Sequence, residues 1–300
     1  MQILEQLTDR ARKRRGTVVF PEGDDGRIVA AARRLMDDGI ARPVLLGSRE
    51  TVEEAARSAG VAVEGLDVVD PVDSERSGHY AASYVAARPK TKPGAAARQM
   101  RKPLYHAGMM VRCGDADAMV AGVANPTARV IQAAMLTIGP AAGIETPSSY
   151  FLMVLPDRVL LFADCAVNVE PDEAQLADIA LASAASADGL LGRGSRVALL
   201  SGEASAARVA SAAARAAARA PERQIEALAA PEALEPGRAE VLVFPDLNAG
   251  NIGYKLTQYL AGAQAIGPFL QGFARPVSDL SRGAAVDDIV TTTVVLLAAG

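Results

Sequence analysis

The sequence predicts an α/β protein with largely parallel sheets, and three observations carry that expectation. Strand, helix and strand signals follow one another between Thr17 and Leu46, and neighbouring parallel strands need such a crossover. The same alternation returns in the second half of the chain. The 300 residues are 50% hydrophobic and 22% charged, enough apolar material for about two domains and too little charge for a disordered chain.

Taken in order, residues 1–15 read as a helix ending in the basic run Arg12-Lys13-Arg14-Arg15, a solvated face. Thr17 to Phe20 is a β-branched run closed by Pro21, hence a strand. Glu22 to Arg27 is a charged loop. Ile28, Val29, Ala32, Leu35 and Met36 then recur at helical spacing as far as Asp38. Pro43 to Leu46 is the next strand. Ala118 to Val123 reads as a buried strand and Arg129 to Ile138 as a helix. Gly139-Pro140, Gly143 and Pro147-Ser148-Ser149 mark a domain boundary near 140–149. Beyond it, Arg158 to Ala163 is a strand. Pro171, Asp172 and Glu173 open a helix, since proline suits a first turn and acids suit the positive end of the dipole. Arg196 to Leu200 and Glu240 to Phe244 are strands, and Ala204 to Ala220 is an alanine-rich helix stopped by Pro221. Two more helices run from about Ile252 to Ala263 and from Ala285 to Ala299. No fixed-period repeat is visible, which argues against solenoids and propellers.

The formal net charge of −4 leaves no general basic field to attract nucleic acid. Charged residues or proline interrupt every long apolar window, so no membrane span is expected, and residues 1–15 lack the apolar core of a secretory signal. Cys113 and Cys165 make no disulfide framework, no Cys/His cluster has zinc spacing, and no metal is expected. These features together predict a soluble, cytoplasmic protein. His79 and His106 have no neighbouring Cys or paired carboxylate, so a His-based triad has a weak case. The glycine signatures of Rossmann and P-loop phosphate sites are missing.

One stretch, residues 85–103, concentrates base: Arg88, Lys90, Lys92, Arg98, Arg101 and Lys102 with no acid. In an acidic protein it either faces an anionic ligand or is a solvated loop and helix. Three loops are unusually polar: Asp164-Cys165-Ala166-Val167-Asn168, Pro245-Asp246-Leu247-Asn248-Ala249-Gly250-Asn251, and Asp279-Leu280-Ser281-Arg282-Gly283. Each residue has an ordinary explanation: Asn251 as a helix cap, Cys165 as a small buried hydrophobe, Asp and Asn as turn formers. Three such loops in one chain favour a shared polar cleft, because parallel α/β sheets bind ligands at the carboxyl ends of their strands. Cys165, Asn248 and Asn251 are therefore candidate substrate contacts. Ser281-Arg282-Gly283 ahead of a helix suits an anion, which backbone N–H groups, the dipole and a guanidinium fork all favour.

With these loops in view, the sequence resembles the phosphate acetyltransferase and phosphate butyryltransferase family over almost its whole length. The resemblance rests on Phe20-Pro21-Glu22-Gly23-Asp24-Asp25, on Leu155-Pro156-Asp157 with Asp164-Cys165-Ala166-Val167-Asn168, and on Phe244 through Asn251. It is longest from Gly267-Pro268-Phe269-Leu270-Gln271-Gly272 through Pro276 to Gly283 and on to Asp287-Asp288-Ile289-Val290, and it favours the acetyl branch. It implies two α/β domains with largely parallel sheets and an interdomain cleft, like isocitrate and isopropylmalate dehydrogenases. Residues 1–143 plus 267–300 would form the first domain and 144–266 a shortened second. It further implies a homodimer that moves an acetyl group reversibly between coenzyme A and inorganic phosphate. Coenzyme A enters as a substrate and no cofactor is expected.

By the same resemblance, Ser281 and Arg282 contact the acyl phosphate, Asp288 is the base for the coenzyme A thiol, and Arg88 contacts coenzyme A. Three departures stand out. Gln132 replaces a second coenzyme A arginine and Asn125 replaces a histidine. Ser201-Gly202-Glu203 replaces a Ser-Tyr-Ser-like loop. The stretch between Ala220 and Arg238 is short and lacks an Asp-Gly segment. A longer acyl group, as in phosphate butyryltransferase, and a non-catalytic module sensing acyl-coenzyme A are the alternatives.

Overall fold

In the computed structural model, residues 2–192, 194–228, 234–235 and 237–300 are described. The chain divides into two compact units. One joins Met1–Gly139 to Phe273–Ala298 and Gly300; the other is Pro140–Gly272 with Ala299.

The first unit opens with α1 (Gln2–Arg14), β1 (Thr17–Phe20), α2 (Gly26–Asp37), β2 (Arg42–Leu46), α3 (Arg49–Ala59) and β3 (Asp67–Val69). Three helices follow in succession, α4 (Ser77–Ala87), α5 (Pro93–Met100) and α6 (Pro103–Cys113), before β4 (Ala118–Ala121) and α7 (Thr127–Thr137). Met1, at the head of the first expected helix, lies outside the described residues. Val18, Val19 and Phe20 of β1 and all four residues of β4 are fully buried, the continuous apolar pattern of strands covered on both faces. The basic stretch 85–103 is mostly helical: proline opens both α5 and α6 at their first positions, where its missing N–H costs no hydrogen bond.

The second unit contains β5 (Ser148–Val154), β6 (Val159–Ala163), α8 (Glu173–Leu191), β7 (Val197–Leu200), the short turn Glu203–Ser205, α9 (Ala206–Arg219), β8 (Ile225–Leu228), β9 (Val241–Val243), α10 (Leu247–Leu260) and β10 (Gln264–Gln271). Its strand order is β10-β5-β6-β9-β7-β8. The last three pairings are parallel, but β5 runs antiparallel to both β6 and β10. The sheet is thus mixed. The reason is local: Leu155 N–H bonds the Arg158 carbonyl at 2.9 Å, and so tight a turn returns the chain antiparallel. Part of the short Ala220–Arg238 stretch lies outside the described residues. The chain then re-enters the first unit as β11 (Val277–Asp279) and α11 (Val286–Ala299), giving that unit the all-parallel order β3-β2-β1-β4-β11.

Several expected boundaries move. Pro147-Ser148-Ser149 is not wholly a linker, because Ser148 starts β5. Asp172 is the N-cap of α8, bonding Gln175 N–H at 2.9 Å, so Pro171 precedes the helix. The strand expected to reach Val123 ends at Ala121, since Gly122 takes φ +118°. The helix expected from Ile252 begins at Leu247, capped by Asp246; Asn248 and Asn251 therefore sit in its first turns, and Asn251 does not cap it. No described helix is long and apolar enough to cross a membrane.

Candidate active site

In the first unit, a buried carboxylate organises the loop that follows β4. Glu22, just beyond the end of β1, is 3% exposed. Its Oε2 accepts the N–H groups of Gly122 at 2.9 Å and Val123 at 3.0 Å. Its Oε1 accepts those of Ala124 at 3.0 Å and Asn125 at 2.8 Å, and the Asn125 side-chain amide at 2.7 Å. Four successive backbone donors form a concave nest of the kind that holds anions, and here the protein supplies the anion itself. The loop leads into α7, whose N-cap position is Pro126 and has no side-chain cap.

This loop forms one wall of a cavity of about 590 Å³, lined also by Lys102, Tyr105, Arg129 and Gln132. Asn125 and Gln132, both anticipated, are thus brought together. Arg129 precedes Gln132 by one turn of α7, and its side chain has no hydrogen bond or ion pair among the described residues. Lys102 lies 5.7 Å from the centre of the Tyr105 ring. Burial pushes the Tyr105 hydroxyl above its ordinary range. Because the Glu22 charge is enclosed by N–H donors, Asp24 is the remaining carboxylate at the wall against Lys102 and Arg129, and the cavity suits an anionic ligand. Arg88 does not line it: its guanidinium donates to the Met135 carbonyl at 2.8 Å and lies 5.2 Å over the Tyr84 ring.

The loop after β11 carries the other anticipated group. Ser281 and Arg282 are exposed. Ser281 Oγ accepts the Gly283 N–H at 3.3 Å. The Arg282 side chain has no partner among the described residues. Asp288, also exposed, stands in the first turn of α11 and accepts the Ala285 N–H at 2.9 Å, so the helix start is capped by its own aspartate. Asp287 instead pairs with Arg34. Asp279 ends β11 with 4% exposure. One of its oxygens takes a hydrogen bond from the Thr127 hydroxyl at 2.5 Å, and the other, Oδ1, has no partner among the described residues. Burial raises its pKa to about 6, the Glu22 charge adding to the effect and the Thr127 hydrogen bond opposing it. Gly122 separates the two carboxylates; a Cβ there would run into Asp279 Oδ1 and lie 2.5 Å from Leu280 N, so only glycine fits.

In the second unit, Asp164 plays the part Glu22 plays in the first. It is 2% exposed and accepts the N–H groups of Ala166, Val167 and Asn168, the Asn168 amide, and the Ser149 hydroxyl. Cys165 beside it is fully buried in an apolar cluster with Phe151, Phe162 and Leu242, and burial drives its thiol far above the ordinary range. The first turn of α10 packs directly on this loop, since a Cβ on Gly250 would strike the Asp164 carbonyl and come within 3.2 Å of Cys165 Sγ. Asn248 is exposed and Asn251 half-buried on that turn. Of the basic stretch 85–103, weighed in the sequence as facing an anionic ligand or solvent, Lys102 lines the cavity; sequence reading gave no role to Glu22 or Arg27, for which the available signal was a charge placed directly after a strand or before a helix.

Comparison with known proteins places these loops in context. The family described as Phosphate acetyl/butaryl transferase matches residues 2–227 and 216–298. A phosphate acetyltransferase of Acetivibrio thermocellus is 39% identical over 97% of this chain and 96% of its own. One from Nitratidesulfovibrio vulgaris is also 39% identical, over 96% of this chain, but is longer, so that the match covers 44% of it. The solved EutD phosphotransacetylase of Staphylococcus aureus superposes with a TM-score of 0.89 at 32% identity, over 99% of this chain and 98% of that one.

Proposed function

The chain belongs to the phosphate acetyl/butyryl transferase family, and from that premise we propose that it transfers an acetyl group reversibly between coenzyme A and inorganic phosphate. The observation that carries the site assignment is Arg282. It is exposed, its side chain is unpaired among the described residues, and it lies six positions before Asp288 on the segment leading into α11. In the forward direction the coenzyme A sulfur attacks the acetyl carbon of acetyl phosphate. Asp288 accepts the thiol proton as the C–S bond forms, and the C–O bond to phosphate breaks. A thiol of pKa about 8.5 is mostly protonated at neutral pH, so a nearby carboxylate raises the rate. Arg282 neutralises the charge developing on the leaving phosphate, and Ser281 donates to the carbonyl or phosphate oxygen. The base role of Asp288 is supported by its second carboxylate oxygen, which the cap to Ala285 leaves without a partner among the described residues.

In this reading the cavity of Asn125, Arg129, Gln132 and Lys102 receives the phosphates of coenzyme A, supported by its two cations. Arg88 acts beyond that cavity, Asn248 and Asn251 are read as substrate contacts at the start of α10, and the buried Cys165 supports the loop that Asp164 organises. The reading carries with it a cytoplasmic homodimer and an architecture akin to isocitrate and isopropylmalate dehydrogenases. The test is a substrate panel. The purified chain should form acetyl-coenzyme A from acetyl phosphate faster than butyryl-coenzyme A from butyryl phosphate. The reverse preference would move it to the butyryl branch, and tight acetyl-coenzyme A binding without turnover in either direction would make it a sensor.

A further inference from the structure

Arg27 is the second residue of α2 and half-buried. All five of its guanidinium N–H groups have acceptors. Nε and Nη2 grip the Asp25 carboxylate at 3.0 and 2.8 Å. Nη1 donates to the carbonyls of Arg282 at 2.8 Å and Ala284 at 3.0 Å. Nη2 also reaches the Val123 carbonyl at 3.4 Å. Asp25 is itself fixed, because it N-caps α2 by accepting the Arg27 N–H at 2.9 Å. The ion pair holds the Asp25 carboxyl below the ordinary carboxylate range.

The segment it grips has little else to fix it. Between Leu280, whose N–H bonds the Ala121 carbonyl at 2.7 Å, and the start of α11, the bonds among the described residues are local. Gly283 N–H meets Ser281 Oγ, Ala284 N–H meets the Ser281 carbonyl, and Ala285 N–H meets Asp288. A planar fork with five donors in fixed directions is suited to holding three backbone carbonyls and a carboxylate at once; an ammonium is not. With every donor used and its charge met by Asp25, Arg27 has no capacity left to bind substrate.

We infer that Arg27 is a positioning residue: it fixes the backbone of the Ser281–Ala284 loop against the Val123–Asn125 loop, and so sets where the Arg282 guanidinium meets the phosphate of the acyl donor. The inference rests on the assignment of Arg282 to that phosphate. A residue acting through Arg282 loses its effect once Arg282 is gone, whereas general damage to the scaffold adds to any other loss.

The experiment is a double-mutant cycle with Arg27→Lys and Arg282→Ala. It is read by steady-state kinetics and by calorimetric titration of inorganic phosphate, the latter needing no turnover. Arg27→Lys should lower kcat/KM for acetyl phosphate by about 10- to 100-fold, the scale of a misplaced contact, while KM for coenzyme A stays within about twofold. In the double variant phosphate binding should be no weaker than in Arg282→Ala alone. Arg27→Gln, shorter and uncharged but still a donor, repeats the cycle if the lysine variant does not fold. Equal loss for both substrates, or losses that add in the double variant, would overturn the positioning role. Unchanged phosphate binding in Arg282→Ala itself would instead overturn the assignment on which it rests.

Discussion

The Asp288 carboxylate gives one oxygen to the Ala285 N–H at the start of α11, and two substitutions separate that cap from the proposed proton transfer. Asp288→Asn keeps an oxygen for the cap and removes the base. We expect kcat to fall by about 10²- to 10⁴-fold with little change in substrate KM, partly recovered at higher pH where solvent supplies thiolate. Asp288→Ala should lose the same activity and also about 1 kcal/mol of stability with the cap. A fully active Asp288→Asn in which Asp287→Asn is dead would shift the base by one residue. Asp279 differs in kind, being buried with a carboxyl raised to about 6. The folded chain therefore holds this proton more tightly than the unfolded chain. The associated stability is complete below about pH 4 and is lost as pH rises to about 6, after which the penalty is constant at about 3 kcal/mol. Asp279→Asn has no charge to bury. Its stability relative to the native chain should rise between pH 4 and 6 and then level off, as urea unfolding across that range would report. A difference independent of pH would mean that Asp279 titrates normally.

At the scale of elements, the loop after β4 depends on an acceptor contributed from beyond the end of β1. Glu22→Gln replaces one carboxylate oxygen by an amide that donates, so at least two of the N–H groups of Gly122–Asn125 face another donor. Buried donors without acceptors cost about 1–3 kcal/mol each; denaturant titration should show a loss of about 3 kcal/mol, and KM for coenzyme A should rise because Asn125 leaves its place at the cavity. A neutral substitution would mean the loop is held elsewhere. Helix α7 offers the converse experiment. Gln132 shares the cavity with Arg129 and Lys102, and Gln132→Arg adds a third cation where an anion is proposed to sit. KM for coenzyme A should fall by about tenfold or more, the value of a charge-assisted hydrogen bond of about 1.5–3 kcal/mol. An unchanged or raised KM would show that Arg129 and Lys102 already satisfy the ligand.

At the scale of the whole molecule, β1, α2 and β2 lie within a few residues of where apolar runs and spacing put them, α9 and α11 lie within a few residues of their expected bounds, and α8 starts where Pro171, Asp172 and Glu173 mark it. Strand β3 is partly exposed and β11 reads Val277-Ser278-Asp279, so neither shows the unbroken apolar run that revealed the equally short β9. The antiparallel course of β5 was hidden because its direction is decided by the turn at Leu155–Arg158, not by its own residues. In the candidate site, Ser281 and Arg282 were visible as part of a polar loop before a helix, whereas Asp288, inside α11, was singled out only by the family resemblance. Glu22 and Arg27 were not visible, because each acts on backbone about 100 or 255 residues away, and no local pattern encodes such a partner. The same chain-wide view bears on assembly. Ile252, Leu256, Tyr259 and Leu260 of α10 are between 53% and 81% exposed, at the spacing of one apolar stripe. Lys255 is the sole formal charge of that helix, so two copies meeting across a twofold axis would face little repulsion. A stable interface buries about 800 Å² per partner, more than one stripe supplies, and α10 would be its centre. Sedimentation equilibrium should therefore give twice the 31.1 kDa chain mass. Introducing Leu256→Glu with Leu260→Glu, which places charge on the stripe without touching a buried side chain, should return a folded monomer with an unchanged circular dichroism spectrum. A native chain that sediments as a monomer, or a double variant that stays dimeric, would exclude α10 as the contact.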